Sequence, residues 1–302
     1  MFNKKILVTG GTGFVGRKVV ELLLSLGNEV HLLGIPPFLE ERAFLFQYHI
    51  DLFEKFALEK FFSKYNFTNL IHLAWCVGQG CQTSDENLDW VCTSLNLLKV
   101  FKKNGGKRVL FTGSMSEYDY SYGYMTEDVT PLNNEFLYGK SKAALYSLAK
   151  EFCKLNGLDF KWARLFNIYG ENEREARLIP SVILSMLKNE DVKVSTCTKF
   201  QDYLHVDDIA AGIVALFESD IQGAVNICSG EPVQLKYIVE KIAELTNFKG
   251  NVLYGAMPTY FKESFVVGNN SKLKEEVKFF PKHTLNSGLE KTIEWYRRRL
   301  NV

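Results

Sequence analysis

Three things are scarce in this sequence, and each scarcity removes a class of function. Cysteine is the first. The six present, at positions 76, 81, 92, 153, 197 and 228, are scattered. None pairs as CxxC and none joins a histidine at zinc spacing, so neither a metal site nor a disulfide framework is expected. Net charge is the second: +1 over 302 residues gives nucleic acid and membrane surfaces no electrostatic hold. The one basic cluster, Arg297 to Arg299, sits at the C-terminus, where a solvated helix end accommodates it better than a binding patch does. Long apolar runs are the third, none reaching the ~18 residues that a membrane span needs. Repeats, low-complexity tracts and Pro/Gly/Ser linkers are also missing, so the second half should be woven into the first rather than tethered to it. An apolar strand begins almost at the first residue, so no signal peptide is expected, and scattered thiols suit a reducing compartment. The expected location is the cytoplasm.

What the chain does have is Lys4 to Gly16, KKILVTGGTGFVG. Ile6-Leu7-Val8 reads as a buried strand and the glycines at 10, 11, 13 and 16 as a turn. Arg17 to Leu26 reads as a helix with Val19, Val20, Leu22, Leu23 and Leu26 on its apolar side. Strand, glycine turn and helix make a dinucleotide-binding unit. The glycines let the backbone close on a pyrophosphate, and the helix N-terminus offers N–H groups and positive dipole. Gly10, Gly13, Phe14, Val15 and Gly16 are the candidate phosphate-binding residues. The second strand, Glu29 to Leu33, ends in Gly34-Ile35-Pro36-Pro37 instead of the carboxylate that reads an NAD ribose. With Arg17 and Arg42 nearby, this tilts the expected cofactor from NAD towards NADP.

Further strands at 44–50, 69–75, 108–113, 160–166 and 225–227 alternate with helices at 53–65, 85–103, 138–156 and 207–217. Helices are also expected from about Pro180 to Asn189, over Leu235 to Thr246 and over Leu289 to Leu300. The alternation implies an α/β fold: a doubly wound parallel Rossmann sheet with a smaller, interleaved C-terminal substrate-binding lobe. Residues 1–170 form the dinucleotide-binding domain, which also receives about 201–227, and 171–302 mainly form the lobe. Right-handed crossovers bring the strand ends to one edge. One strand ends in Ser114; Tyr138 and Lys142 follow at i and i+4 of a helix and so share a face.

The joint pattern resembles the short-chain dehydrogenase/reductase superfamily. In detail it is similar to the extended branch, the NAD(P)-dependent epimerases and dehydratases that act on nucleotide sugars. The motifs run along nearly the whole chain: TGGTGFVG at 9–16, Asp51-Leu52, HLAW at 72–75, YGKSK at 138–142, RLFNIYG at 164–170, DYLHVDD at 202–208 and NICSGEP at 226–232. The resemblance implies that Tyr138 is the acid/base, that Lys142 binds the nicotinamide ribose, and that Ser114 orients the substrate carbonyl. A phenol of pKa about 10 works near neutral pH when a neighbouring ammonium favours its anion. Asp51 then bonds the adenine amine and Leu52 packs on the ring, although Asp51 alone reads equally as a helix cap. Leu73 and Ala74 wrap the cofactor, and His72 is either part of that wrap or a packed strand-end histidine. Asn167 falls where relatives contact the substrate diphosphate. Asp202, His205 and Asp207 lie in a loop near the substrate, with helix capping the favoured role for Asp207 and Asp208.

The departures from the pattern bear on function. Dehydratases of this family carry an acidic pair after the serine; here stand Met115 and Ser116, with Glu117 one residue too late on an extended backbone. Sugar dehydration is therefore not expected. Gln201 replaces the usual diphosphate-binding arginine, and Lys199, Arg177 or Lys262 are the cations available in its place. Trp90 stands where a helix usually has asparagine, and Asp119 where relatives have glycine. Ser116, Asn167, Arg177, Lys199 and Gln201 are the candidate substrate-binding residues. The expected activity is reduction of a 4-keto (6-deoxy) sugar nucleotide or its reverse. A nucleotide-sugar 4-epimerase is the near alternative and a non-catalytic dinucleotide sensor the remote one. The helices at 85–103 and 138–156 carry apolar stripes, Leu88, Val91, Leu95 and Leu98 on one and Leu145, Leu148 and Phe152 on the other. With the resemblance, these stripes imply a homodimer.

Overall fold

Ile6, Leu7 and Val8 are fully buried at the heart of a seven-stranded parallel sheet. The computed structural model describes residues 4–78, 80–133, 135–259 and 263–301. Lys262, one of the cations considered above, lies outside them. In chain order the first half runs β1 (Lys5–Thr9), α1 (Phe14–Ser25), β2 (Glu29–Gly34), β3 (Leu45–His49), α2 (Lys55–Phe62), β4 (Asn69–His72), α3 (Glu86–Lys103), β5 (Arg108–Ser114), β6 (Tyr124–Met125) and α4 (Leu137–Leu155). The second half runs β7 (Asp159–Leu165), β8 (Asn167–Tyr169), α5 (Leu178–Leu187), β9 (Val192–Val194), β10 (Phe200–Gln201), β11 (Tyr203–His205), α6 (Val206–Glu218) and β12 (Gly223–Ile227). It closes with β13 (Val233–Gln234), α7 (Leu235–Thr246), β14 (Val252–Tyr254), β15 (Phe265–Gly268), α8 (Ser271–Glu275) and α9 (Leu285–Leu300).

The large sheet has the order β12-β7-β5-β4-β1-β2-β3. Side chains alternate across it. Leu7 faces a layer built from Leu58, Phe62, Leu97, Phe101 and Leu145 of α2, α3 and α4, whereas Ile6 and Val8 face Val20, Leu23, Ile209, Ile213 and Phe217 of α1 and α6. Strand β1 lies between β4 and β2, so successive crossovers leave it in opposite directions. The crevice outside its C-terminal end is the switch point where such sheets bind ligands.

A second core joins Ile183 of α5, Ile238 and Ile242 of α7, and Ile293 and Tyr296 of α9. A small sheet of order β13-β10-β15-β6 draws its strands from both halves of the chain, Tyr124 pairing with Val267. Strand β11 pairs in parallel with β8, and β14 with β9. These short pieces escape a sequence reading because two or three residues show no periodicity. Two boundaries also differ. β4 stops at His72, so residues 73–75 leave the sheet, and α9 starts at Leu285, capped by Thr284 Oγ1 accepting from Ser287 N–H at 3.2 Å. The apolar stripes on α3 and α4 divide: Leu98 and Leu145 are sealed in the core, while Leu88 and Leu148 are each 54% exposed. Among the described residues no helix is long and apolar enough to cross a membrane.

Candidate active site

The glycine loop follows directly from β1. Gly10 adopts φ +71°, and a Cβ there would lie 2.6 Å from the Ala74 backbone nitrogen. At Gly16 a Cβ would lie 2.0 Å from the Gly10 carbonyl oxygen, so only glycine brings α1 this close to the loop. Phe14, Val15 and Gly16 form the first turn of α1, whose N–H groups lack intrahelical partners and suit an anion. The adjoining cleft is lined by Gly10 to Thr12, Leu33 to Ile35, Asp51 to Phe53, Ala74 and Trp90. Its apolar walls, glycine floor and one carboxylate could hold an adenosine diphosphate. Asp51 does not cap α2; its Oδ1 accepts from Phe53 N–H at 3.0 Å, and Glu54 holds the cap position. Leu73 is absent from the lining and packs against the core layer under α1 and α6, its N–H on the Thr9 carbonyl.

Ser114, Tyr138 and Lys142 come together at the end of β5. Ser114 hydrogen-bonds Tyr138 through its side chain and also accepts from Ser116 N–H at 3.1 Å. The backbone then turns through a one-turn 3-10 helix, Met115–Glu117. Glu117 is therefore not on extended backbone, although it does face away from the cleft. It completes a capping box on Ser114, whose N–H donates to Glu117 Oε1 at 2.8 Å. Below, Glu117 takes hydrogen bonds from Trp162 Nε1 at 3.0 Å and Arg164 Nε at 2.7 Å.

Tyr138 and Lys142 sit in the first two turns of α4. Lys142 Nζ donates to the Thr112 carbonyl at 2.9 Å and lies 3.7 Å from the centroid of the Trp75 ring. Burial pushes the Tyr138 phenol well above its ordinary range, against the pull of the Ser114 hydrogen bond. Burial draws Lys142 down to about 7, opposed by the Glu117 carboxylate. Burial thus favours the neutral form of both groups, a protonated phenol and an amine near its titration point. His72 is a packed residue, held between Thr9 Oγ1 at 2.6 Å and Ser94 Oγ at 2.8 Å, and burial lowers it to about 3.

On the far side of the cleft the predicted residues separate. Ser116 Oγ shares a hydrogen bond with Tyr120 at 3.0 Å. Glu263 acts electrostatically on both Tyr120 and the buried Lys199. Arg177 is half exposed and pairs with Glu173 at 3.5 Å, near Tyr203. Gln201 lies on β10 between β13 and β15. Asn167 donates to the Asp202 carbonyl at 3.0 Å. The Asp202 carboxylate accepts from Ser229, Gly230 and Gly268, so both residues tie the strands of the two sheets together.

Asp207 and Asp208 are not helix caps. His205 caps α6 by accepting from Asp207 N–H at 3.3 Å. Asp207 pairs with Lys18 and Lys291, and Asp208 holds the backbone of Lys282 and His283. His205, Asp207 and His283 bring ligand atoms within 4.8 Å of one another, a juxtaposition that sequence spacing cannot reveal. The two lysines already neutralise its carboxylate.

The residue sequence reasoning missed is Trp75. The HLAW motif reads as a plain strand end, and only the departure of residues 73–75 from the sheet turns this indole over Lys142.

A seven-stranded parallel Rossmann-type sheet with a glycine loop at the end of β1 is the frame of the extended class of short-chain dehydrogenase/reductases. Within it the chain belongs to the NAD dependent epimerase/dehydratase family, whose model matches residues 6–228. The UDP-glucuronate 4-epimerase of Thermodesulfobacterium geofontis is 27% identical over 325 residues, spanning 98% of this chain and 97% of its own. A dTDP-6-deoxy-L-talose 4-dehydrogenase (NAD(+)) of Aggregatibacter actinomycetemcomitans is 28% identical, spanning 87% of this chain and 98% of its own. The UDP-glucose 4-epimerase of Thermotoga maritima, solved with UDP-glucose, superposes with a TM-score of 0.88 at 23% identity over 98% of this chain and 99% of that one. Relatives of the chain are thus nucleotide-sugar epimerases and dehydrogenases.

Proposed function

We propose that the protein is a nucleotide-sugar oxidoreductase that reduces a 4-keto (6-deoxy) sugar nucleotide or runs the reverse oxidation. The observation that carries this reading is Ser114 hydrogen-bonded to Tyr138, with Lys142 one helical turn further on. A bound nicotinamide supplies or accepts the hydride. Tyr138 Oη gives its proton to the carbonyl oxygen as that oxygen gains charge, and Ser114 Oγ donates a second hydrogen bond to the same atom. Lys142 stabilises the phenolate left behind and holds the ribose. The retained trio disfavours a non-catalytic sensor, and the absence of an acidic pair at Met115 and Ser116 disfavours dehydration. The naming of relatives as 4-epimerases supports a second reading, in which the same trio oxidises and re-reduces C4 with no net redox change.

Gly34 in the cleft supports NADP binding at least as tight as NAD, since β2 ends without a carboxylate to repel a 2′-phosphate. Ser116, Arg177, Lys199, Gln201 and Asn167 are the proposed substrate contacts, mostly from the lobe formed by 171–302. A homodimer and a cytoplasmic setting complete the reading. Incubating the protein with NADPH or NADH and 4-keto-6-deoxy sugar nucleotides, while following nicotinamide absorbance, tests it. Steady oxidation supports the reductase. Interconversion of UDP-hexoses without net absorbance change supports the epimerase instead.

A further inference from the structure

The indole of Trp75 lies across the ammonium of Lys142, its ring centroid 3.7 Å from Nζ. The placement is built from several sides. Trp75 Nε1 donates to Asn87 Oδ1 at 2.9 Å, and the Asn87 amide nitrogen donates to the carbonyls of Cys81 and Ser84 at 2.7 and 2.8 Å. Trp90 stacks on the outer part of the indole at 6.0 Å and 29°, and Tyr138 meets its edge at 6.5 Å. Trp75 is 8% exposed. An aromatic side chain this firmly held is not a loose neighbour of the lysine.

We propose that Trp75 is a positioning residue for Lys142: its π-face holds the ammonium beside Tyr138 and keeps it charged in a dry site. The proposal rests on the reading of Lys142 given above. The physical need is plain. Lys142 has one carbonyl partner, Thr112 O, and little water. The titratable groups facing it are Glu117 from the 3-10 turn below, whose carboxylate favours the ammonium, and Cys76 from the loop after β4, whose thiol burial keeps protonated. His72 of β4 is held neutral, partly by Lys142 itself. Tyr138 stands on the lysine's own helix. Burial draws the amine down to about 7, so loss of any stabilising group would leave it neutral at working pH. A cation over an indole face gains most where water is excluded.

The test follows the 13Cε and 1Hε resonances of Lys142 in the unliganded protein, assigned by their disappearance in Lys142→Met. In the wild type the Hε protons are expected upfield through the ring current, titrating near pH 7. In Trp75→Leu the upfield shift should vanish, and the midpoint should fall by about 0.4 to 1.5 pH units. Trp75→Phe, which keeps a smaller π-face and offers a milder change should Trp75→Leu not fold, should lie between. An ordinary wild-type shift, or midpoints that do not move in either variant, overturns the proposal. These readouts need no turnover, so failure of the proposed reaction leaves them decisive. Where turnover is present, the alkaline limb of kcat/KM should move to lower pH in Trp75→Leu. A merely structural tryptophan would lower the rate without moving that limb.

Discussion

Glu117 accepts the Arg164 Nε–H at 2.7 Å, and neither side chain reaches solvent. The ion pair lies directly beneath Ser114, because Glu117 Oε1 also holds the Ser114 N–H. Arg164 is sandwiched between the rings of Tyr118 and Tyr146, 4.8 and 4.7 Å from their centroids. The position of a proposed substrate-orienting hydroxyl is therefore set by a charge pair that faces the opposite way. Arg164→Met should destabilise the protein by about 3 to 5 kcal/mol, since it strands a buried carboxylate. The double variant with Glu117→Gln should recover part of the loss. Urea unfolding checks both; a single variant within about 1 kcal/mol of wild type would show that the pair anchors nothing.

Tyr138→Phe keeps the ring that packs near Trp75 and removes the one proton the proposed chemistry moves. Turnover should fall at least ~10²-fold, while cofactor binding persists. Near wild-type turnover in this variant would end the acid/base assignment.

Glu173 should give the fold a stability that falls as pH rises from about 5 to 8. Burial raises its carboxyl to about 8, against the pull of Arg177. A free glutamate titrates near ~4.3, so between these values the folded chain holds a proton that the unfolded chain has released. The stabilisation is complete below the unfolded value and is lost as pH rises through the folded one. The loss is about 1.4 kcal/mol per pH unit. Glu173→Gln should cancel that slope, so the variant should gain on the wild type steadily from pH 5 to 8. Denaturation curves of both proteins across this range decide it, and parallel curves would mean that Glu173 stays charged.

The pair of helices α3 and α4 should form the subunit interface. Leu98 and Leu145 are consumed by the subunit's own core, yet Leu88 and Leu148 remain 54% exposed and Leu155 77%. Four such helices from two copies would cover them under two-fold symmetry. Light scattering at micromolar concentration should return a dimer, and Leu148→Glu should shift it towards monomer. A wild-type monomer would leave the exposed leucines as ordinary surface.

The parts that were legible in the sequence are those whose spacing is local. The change from a short continuous apolar run to a helix's period across the glycines marks the loop. Tyr138 and Lys142 share a face because they are one turn apart. What stayed hidden depends on partners far along the chain. Asp207 looks like a cap until Lys18 and Lys291 arrive from other helices, and Tyr124 looks like loop until Val267 pairs with it. Glu117 illustrates a third kind of miss: the side was foreseen, but a 3-10 turn, not strand alternation, sends it there.

Cofactor preference depends on what stands at the end of β2. Gly34 lines the cleft together with Ile35, Asp51 and Leu52, and a Cβ built there meets nothing within 4 Å. β2 itself ends without the carboxylate that would repel a 2′-phosphate. Of the two nearby cations, Arg42 is turned towards Glu21 at 3.9 Å. Arg17 lies along the glycine loop, its guanidinium donating to the carbonyls of Thr12 and Gly13 at 3.1 and 3.4 Å. Arg17 is thus the cation available to a phosphate, already partly engaged, and the preference should be mild. Calorimetric titration is expected to give NADP(H) an affinity at least equal to that of NAD(H). NAD(H) binding more than ~10-fold tighter, about 1.4 kcal/mol, would mean that another group reads the ribose hydroxyls. Gly34→Asp supplies the converse. The open space around Gly34 admits a Cβ without a clash. The substitution should weaken NADP(H) far more than NAD(H), because two anions would meet in a partly desolvated cleft. Equal weakening of both would place the ribose away from β2 altogether.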